Sequence, residues 1–203
     1  MGATPVVDAR SLMGSELVRL LRPLEAMMRW FDAAGIRAAI IGGVAASLLG
    51  KPRLTKDIDA VVMDAEAEAL IESGAPYGFQ PRIADAVDFA RNTRMLLLRF
   101  ADGGIDIDLS LGALPFEYEV VDRSSMIDVS RGVSIRVASP EDIIVMKAIA
   151  GRGRDIMDIE NIIQAHPDLD VERIRRWVRE FSAVLEMPEI HDALEKLLQK
   201  RPR

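Results

Sequence analysis

Between residues 39 and 63 the chain reads AIIGGVAASLLGKPRLTKDIDAVVM, and two carboxylates in that stretch limit what it can become. Ala39-Ile40-Ile41 is strand-like and stops at Gly42-Gly43. A short segment of helical pattern follows. Arg53-Leu54-Thr55-Lys56 then leads into Asp57-Ile58-Asp59 and a second apolar run, Ala60-Val61-Val62-Met63. In a strand, residues i and i+2 share a face, so Asp57 and Asp59 point one way and Ile58 the other. Carboxylates roughly 7 Å apart repel by about 2 kcal/mol at an effective dielectric of about 20. A fold gains nothing from that repulsion unless a cation sits between them. Mg²⁺, a hard ion that takes few carboxylates and leaves room for substrate phosphates, suits the pair best.

Three further constellations carry chemistry. Glycines at a strand end, as at Gly42-Gly43, let the backbone approach a phosphate, and the helix that follows offers free N–H groups; the bland alternative is a tight turn. In Ile105-Asp106-Ile107-Asp108-Leu109 the acids again share one face. They are either the polar side of an amphipathic strand or the source of a third carboxylate for a two-metal phosphoryl-transfer site, with Asp108 preferred to Asp106. Lys147 lies on the apolar stripe of a helix, four and three residues after Ile143 and Ile144. A lysine there must reach an anion: a triphosphate, or Asp158 in an ion pair pinning two helices. Asp155 and Asp158 share a face at i, i+3.

The rest of the chain narrows the class. At 203 residues it can bury a full core. Without cysteine it has no disulfide, zinc-thiolate site or thiol catalysis. No apolar run reaches the length of a membrane span, so a cytoplasmic location and no membrane partner are expected. A net charge of −6 argues against a general nucleic-acid coat. His166 and His191 read as structural. Arg173, Arg175, Arg176 and Arg179 read as a solvated helix face, and the Leu/Met stripe of residues 17–31 as core or a dimer face.

Periodicity and turn signals predict helices over 11–34 (kinked or restarted at Pro23, closed by Gly35), 43–50, 64–73 with Asp64 as cap, and 115–123. Strands are expected over 37–41, 58–63, 94–100 and 105–111, with a hairpin over 126–129 and 133–137. From the capping signature Ser139-Pro140-Glu141-Asp142 onward the pattern turns helical, over 140–150, 155–165, 170–185 and 188–199.

Together these residues resemble the polymerase-beta-type nucleotidyltransferase superfamily. Within it they are most similar to the minimal bacterial enzymes of the abortive-infection, type IV toxin–antitoxin group (AbiEii-like). The likeness spans about residues 37–163: Gly42-Gly43 after a strand, then Arg53-x-Thr55-Lys56-Asp57-x-Asp59, a later third aspartate, and a helical Lys147 followed by Arg152, Arg154, Asp155 and Asp158. Many relatives carry serine where this chain has Gly43.

The resemblance implies an α/β nucleotidyltransferase fold, a small mixed sheet flanked by helices over residues 1–138, followed by a C-terminal helical bundle over 139–203. It implies a Mg²⁺-dependent enzyme moving an NMP from an NTP, ATP included, to a hydroxyl of tRNA, protein or a small molecule, with a cognate antitoxin as a further partner. Asp57, Asp59 and Asp108, or Asp106, would be catalytic and metal-binding. Gly42, Gly43, Arg53, Thr55, Lys56 and Lys147 would bind nucleotide, supported by Arg152, Arg154, Asp155 and Asp158. The alternatives are a catalytically silent nucleotide- or partner-binding module on the same fold, and a purely structural cation.

Overall fold

The structure, a computed structural model, describes residues 18–200. Along the chain run α1 (Leu21–Ala34), β1 (Arg37–Ile41), α2 (Gly42–Leu49), β2 (Asp57–Met63), α3 (Ala67–Gly74), β3 (Phe79–Pro81), α4 (Ala86–Thr93), β4 (Met95–Phe100), β5 (Ile105–Gly112) and α5 (Pro115–Asp122). The hairpin β6 (Ser125–Ser130) and β7 (Val133–Val137) follows, then α6 (Pro140–Ala150), α7 (Gly153–Ala165), α8 (Val171–Val184) and α9 (Pro188–Leu198). The seven strands form one mixed sheet in the order β3-β4-β5-β2-β1-β7-β6. β2 and β5 run parallel, as do β1 and β7, and the other neighbours are antiparallel. The sheet is mixed and flanked by helices, as expected.

Pro23 lies in the first turn of α1, where its missing N–H is no loss, so it opens the helix rather than kinking it. The expected residues 11–17 of that helix lie outside the described range. Leu24, Met27, Trp30 and Phe31 are buried, which makes the stripe core. The Trp30 ring stands 5.0 Å from both Phe31 and Phe79. Gly35, at φ 65°, caps the helix as expected.

Two expectations fail locally. α3 begins at Ala67, not at 64; Asp64 sits at φ 54° and accepts a hydrogen bond from the Tyr118 hydroxyl at 2.8 Å, so it ties down α5 instead of capping a helix. β3 and α4 had no counterpart in the expected elements. β3 is too short to show alternation, and α4 buries only Ala86 and Ala90.

The helices from Pro140 onward appear close to their expected bounds. α6 packs on α7 and α8, and α2 packs on α6 and α7. Of the α8 arginines, Arg176 and Arg179 are exposed as expected, Arg175 is half-buried, and Arg173 faces inward. Arg173, 8% exposed, forks onto the fully buried Asp142 at 2.7 and 3.1 Å and also reaches Glu119. Arg175 binds Glu195 and Glu172, and Arg176 binds Glu119. His166 is structural, its Nε2 lying 2.8 Å from the Leu49 carbonyl at the end of α2.

Candidate active site

The register of β2 on β5 decides where the acids meet. Asp57 stands opposite Asp106, Ile58 opposite Ile107 and Asp59 opposite Asp108. Alternation then puts all four carboxylates on one face, while Ile58 and Ile107 are fully buried. On the other side of β2, Asp59 pairs with Ile41 of β1, and the chain turns into α2 at Gly42, φ 63°. A Cβ on Gly42 would fall 2.0 Å from Asp59 Oδ2, and the Gly43 N–H donates to that same oxygen at 3.4 Å. The Thr55 hydroxyl donates to Asp57 Oδ1 at 3.0 Å; a Cβ on Gly43 would lie 2.5 Å from that hydroxyl oxygen. A side chain at position 43 would therefore meet Thr55.

Charge separates the four acids. Burial, then the neighbouring Asp57 charge, pushes the Asp59 carboxyl up to about 6, with Asp108 adding to the rise and the Gly43 N–H and Lys147 opposing it. Asp108 is also raised, chiefly by burial, and Arg82 opposes that rise. Asp106 is held below the usual carboxylate range, chiefly by the hydrogen bond from Arg99 at 2.8 Å and further by Arg82. Asp106 is thus neutralised by two arginines.

Arg82 was not foreseen. It follows β3 with no motif around it, and it reaches the site only because its N–H pairs with the Leu97 carbonyl of β4 at 2.9 Å. Its guanidinium lies 3.1 Å from Asp106 Oδ2 and 2.9 Å from Asp108 Oδ1. Even so, Asp108 Oδ1 is buried without a well-aligned hydrogen bond.

A second polar network closes the site from the helical side. Arg53 grips Asp158 with two bonds of 2.8 Å. Lys147, 5% exposed, lies 2.7 Å from Asp158 and 2.9 Å from Asp155. Arg152 binds Asp155 at 2.7 Å with its side chain 75% exposed. Burial works to raise Asp155, but Arg152 and Lys147 hold its carboxyl low. Arg152 itself is raised, mainly by its hydrogen bond to Asp155 and further by the charges of Asp59 and Asp57, which sets this network beside the acids. Of the two readings of Lys147, the ion pair is formed. Lys56 and Arg154 are exposed.

The donor chemistry suits a hard divalent cation: carboxylate oxygens in register, one of them buried without a well-aligned hydrogen bond, and one carboxyl pushed up by burial and by the neighbouring acid. Among the described residues, however, no three Asp, Glu, His or Cys side chains are already assembled closely enough to hold an ion. Among them, too, no helix is long and apolar enough to cross a membrane.

No curated protein matches this chain. Among solved structures, an antigenic nucleotidyltransferase-like protein from Paracoccidioides brasiliensis is 22% identical, with a TM-score of 0.52 over 90% of this chain and 93% of that one. The antibiotic-resistance factor ANT(2'')-Ia is 14% identical, with a TM-score of 0.57 over 87% and 98% of the two chains. Both likenesses are of fold. The family described as "Nucleotidyl transferase of unknown function (DUF2204)" matches residues 20–198. That span runs from the start of α1 to the end of α9, with the acid-bearing strands at its centre, and the chain belongs to this family of the nucleotidyltransferase superfamily and is an enzyme of nucleotidyl transfer.

Proposed function

We propose that this nucleotidyltransferase is Mg²⁺-dependent and moves an NMP from an NTP to a hydroxyl of a small acceptor molecule. The observation that carries the reading is the register that sets Asp57 and Asp59 beside Asp106 and Asp108. Asp57, Asp59 and Asp108 would hold the metal, since Asp106 is already committed to Arg99 and Arg82. Bound Mg²⁺ supplies neutralisation of triphosphate charge and polarises the α-phosphate.

The chain's own groups do the rest. The amides that open α2 at Gly42-Gly43 offer donors to the β- and γ-phosphates, and the exposed Lys56 and Arg152 add positive charge at the rim. Lys147 and Arg53 act through Asp158, fixing the loop before β2 against α6 and α7. Asp108, its carboxyl raised by burial, would take the acceptor's proton. The acceptor oxygen bonds to the α-phosphorus, the α–β phosphoanhydride P–O bond breaks, and pyrophosphate leaves with that electron pair.

A small acceptor is favoured because three of the four α8 arginines are spent on internal ion pairs and the net charge is −6. The motif spacing shared with the AbiEii-like group supports a place as the enzyme of a cytoplasmic toxin–antitoxin pair, with a cognate antitoxin as protein partner. The test is incubation with each α-labelled NTP, with and without EDTA, against RNA, protein and low-mass fractions of a lysate. Mg²⁺-dependent label in the low-mass fraction, insensitive to salt between about 50 and 200 mM, is expected. Transfer to tRNA that collapses over the same range would replace the small acceptor by RNA. A second reading, the silent nucleotide-binding module, draws on the unassembled acid trio, and absence of transfer under every condition would establish it.

A further inference from the structure

Among the described residues, Arg82 is the one side chain that forms ion pairs with two of the four strand acids, and those two acids are unequally supplied with other partners. Its backbone pairs with Leu97, and β4 runs between it and β5, with Leu97 opposite Asp108 and Arg99 opposite Asp106. The side chain therefore crosses one strand to reach both carboxylates. The Asp106 end is reinforced, because Arg99 Nε holds the other oxygen of that carboxylate at 2.8 Å. The Asp108 end has no such second partner: Arg82 meets both acids as a contact of charges, at 3.1 Å and 2.9 Å, and Asp108 Oδ1 is left without a hydrogen bond of good geometry. Both partners are largely withdrawn from water, with side chains 21% and 25% exposed, so the contact is weightier than a surface pair. A divalent cation brings twice the charge and direct coordination to the same oxygen.

We propose that Arg82 is a displaceable internal counter-ion: it holds Asp108 until a divalent cation takes that carboxylate, while Asp106 keeps the freed guanidinium at the edge of the site. The inference rests on the reading of Asp108 as a metal ligand. It makes Arg82 a positioning residue that competes with the metal, and it accounts for the acids being in register without forming a closed ligand set.

The test uses the full chain without nucleotide and Mn²⁺ alone as probe, read by electron paramagnetic resonance of the free ion. Arg82→Gln is expected to tighten Mn²⁺ binding at least about tenfold, the scale on which groups around metal ligands act. Arg99→Gln, which removes equal charge from Asp106 alone, should change it less than about threefold. In the Arg82→Gln background, Asp59→Asn should abolish the gain. Unchanged or weaker binding in Arg82→Gln, an equal gain in Arg99→Gln, or a gain that survives Asp59→Asn overturns the proposal.

Should Arg82→Gln fail to fold, the wild-type Arg82 Nε resonance serves: it should move on saturation with Mg²⁺, and an unmoved resonance overturns the proposal. A chain that shows the Arg82→Gln gain but transfers no nucleotide would remove only the enzymatic reading. A chain that transfers nucleotide without that gain would remove only this one.

Discussion

The Cβ that Gly42 lacks would lie 2.0 Å from Asp59 Oδ2. The strand-end glycine and the second acid of the pair thus occupy one space, and the motif is a steric unit as well as a chemical one. Its left-handed backbone adds to this, at about 1–2 kcal/mol for any side chain. Gly42→Ala is expected to lower the melting temperature and to cut NMP transfer more than about 100-fold by turning Asp59 out of place. Steady-state kinetics and thermal melting check this; a variant within about threefold of wild type would mean that Asp59 need not stand where it does.

Gly43 and Thr55 make a similar pair, with a Cβ on Gly43 falling 2.5 Å from the Thr55 hydroxyl oxygen. Gly43→Ser should therefore be destabilising by about 1–3 kcal/mol. Adding Thr55→Ala should recover most of that loss, measured by urea unfolding as a double-mutant cycle. Additive losses would contradict the contact.

Asp59 makes the metal-free chain pH-sensitive. Its folded carboxyl is raised from 3.8 to about 6, so between those values the folded state binds more protons than the unfolded one. Stability then falls as pH climbs through that window, by on the order of 3 kcal/mol once Asp59 is ionised. In EDTA at pH 8, Asp59→Asn is expected to be more stable than wild type, and the gain should vanish below about pH 4. A variant less stable at pH 8 would show that Asp59 is already compensated without metal.

Much of this was legible in the sequence because its signals are local. Alternating Asp-x-Asp runs mark a strand face, and the Gly-Gly step marks the turn before α2. Ser139-Pro140 marks the start of α6, where the Ser139 hydroxyl accepts from the Asp142 N–H. What escaped depends on pairing across the sheet. Arg82 carries no local mark, and only the registers of β3 on β4 and β4 on β5 bring it to Asp108. Arg173 looked like part of a solvated face because its partners, Glu119 and Asp142, belong to distant elements. Alternation likewise treats Asp106 and Asp108 alike, and it carries no sign that Arg99 pairs with Asp106 and not with Asp108.

Asp158 is the joint of the helical network, serving both Arg53 and Lys147. Asp158→Ala takes the carboxylate from Arg53 and leaves Lys147 with Asp155 alone in a largely buried place, and should cost about 3–5 kcal/mol. Asp155→Ala should cost clearly less, since Lys147 keeps Asp158 and Arg152 is open to water. Urea midpoints of the two variants give the order; the reverse order would place the joint at Asp155.

The central claim, that the acids of β2 hold the cation through which the nucleotide binds, is met most directly by calorimetric titration of each NTP into the chain with Mg²⁺. Wild type is expected to bind at least one NTP only when Mg²⁺ is present, and the Asp57→Asn, Asp59→Asn double variant to lose about 100-fold in affinity or more. Equal Mg²⁺-dependent affinity in the two proteins would contradict the account.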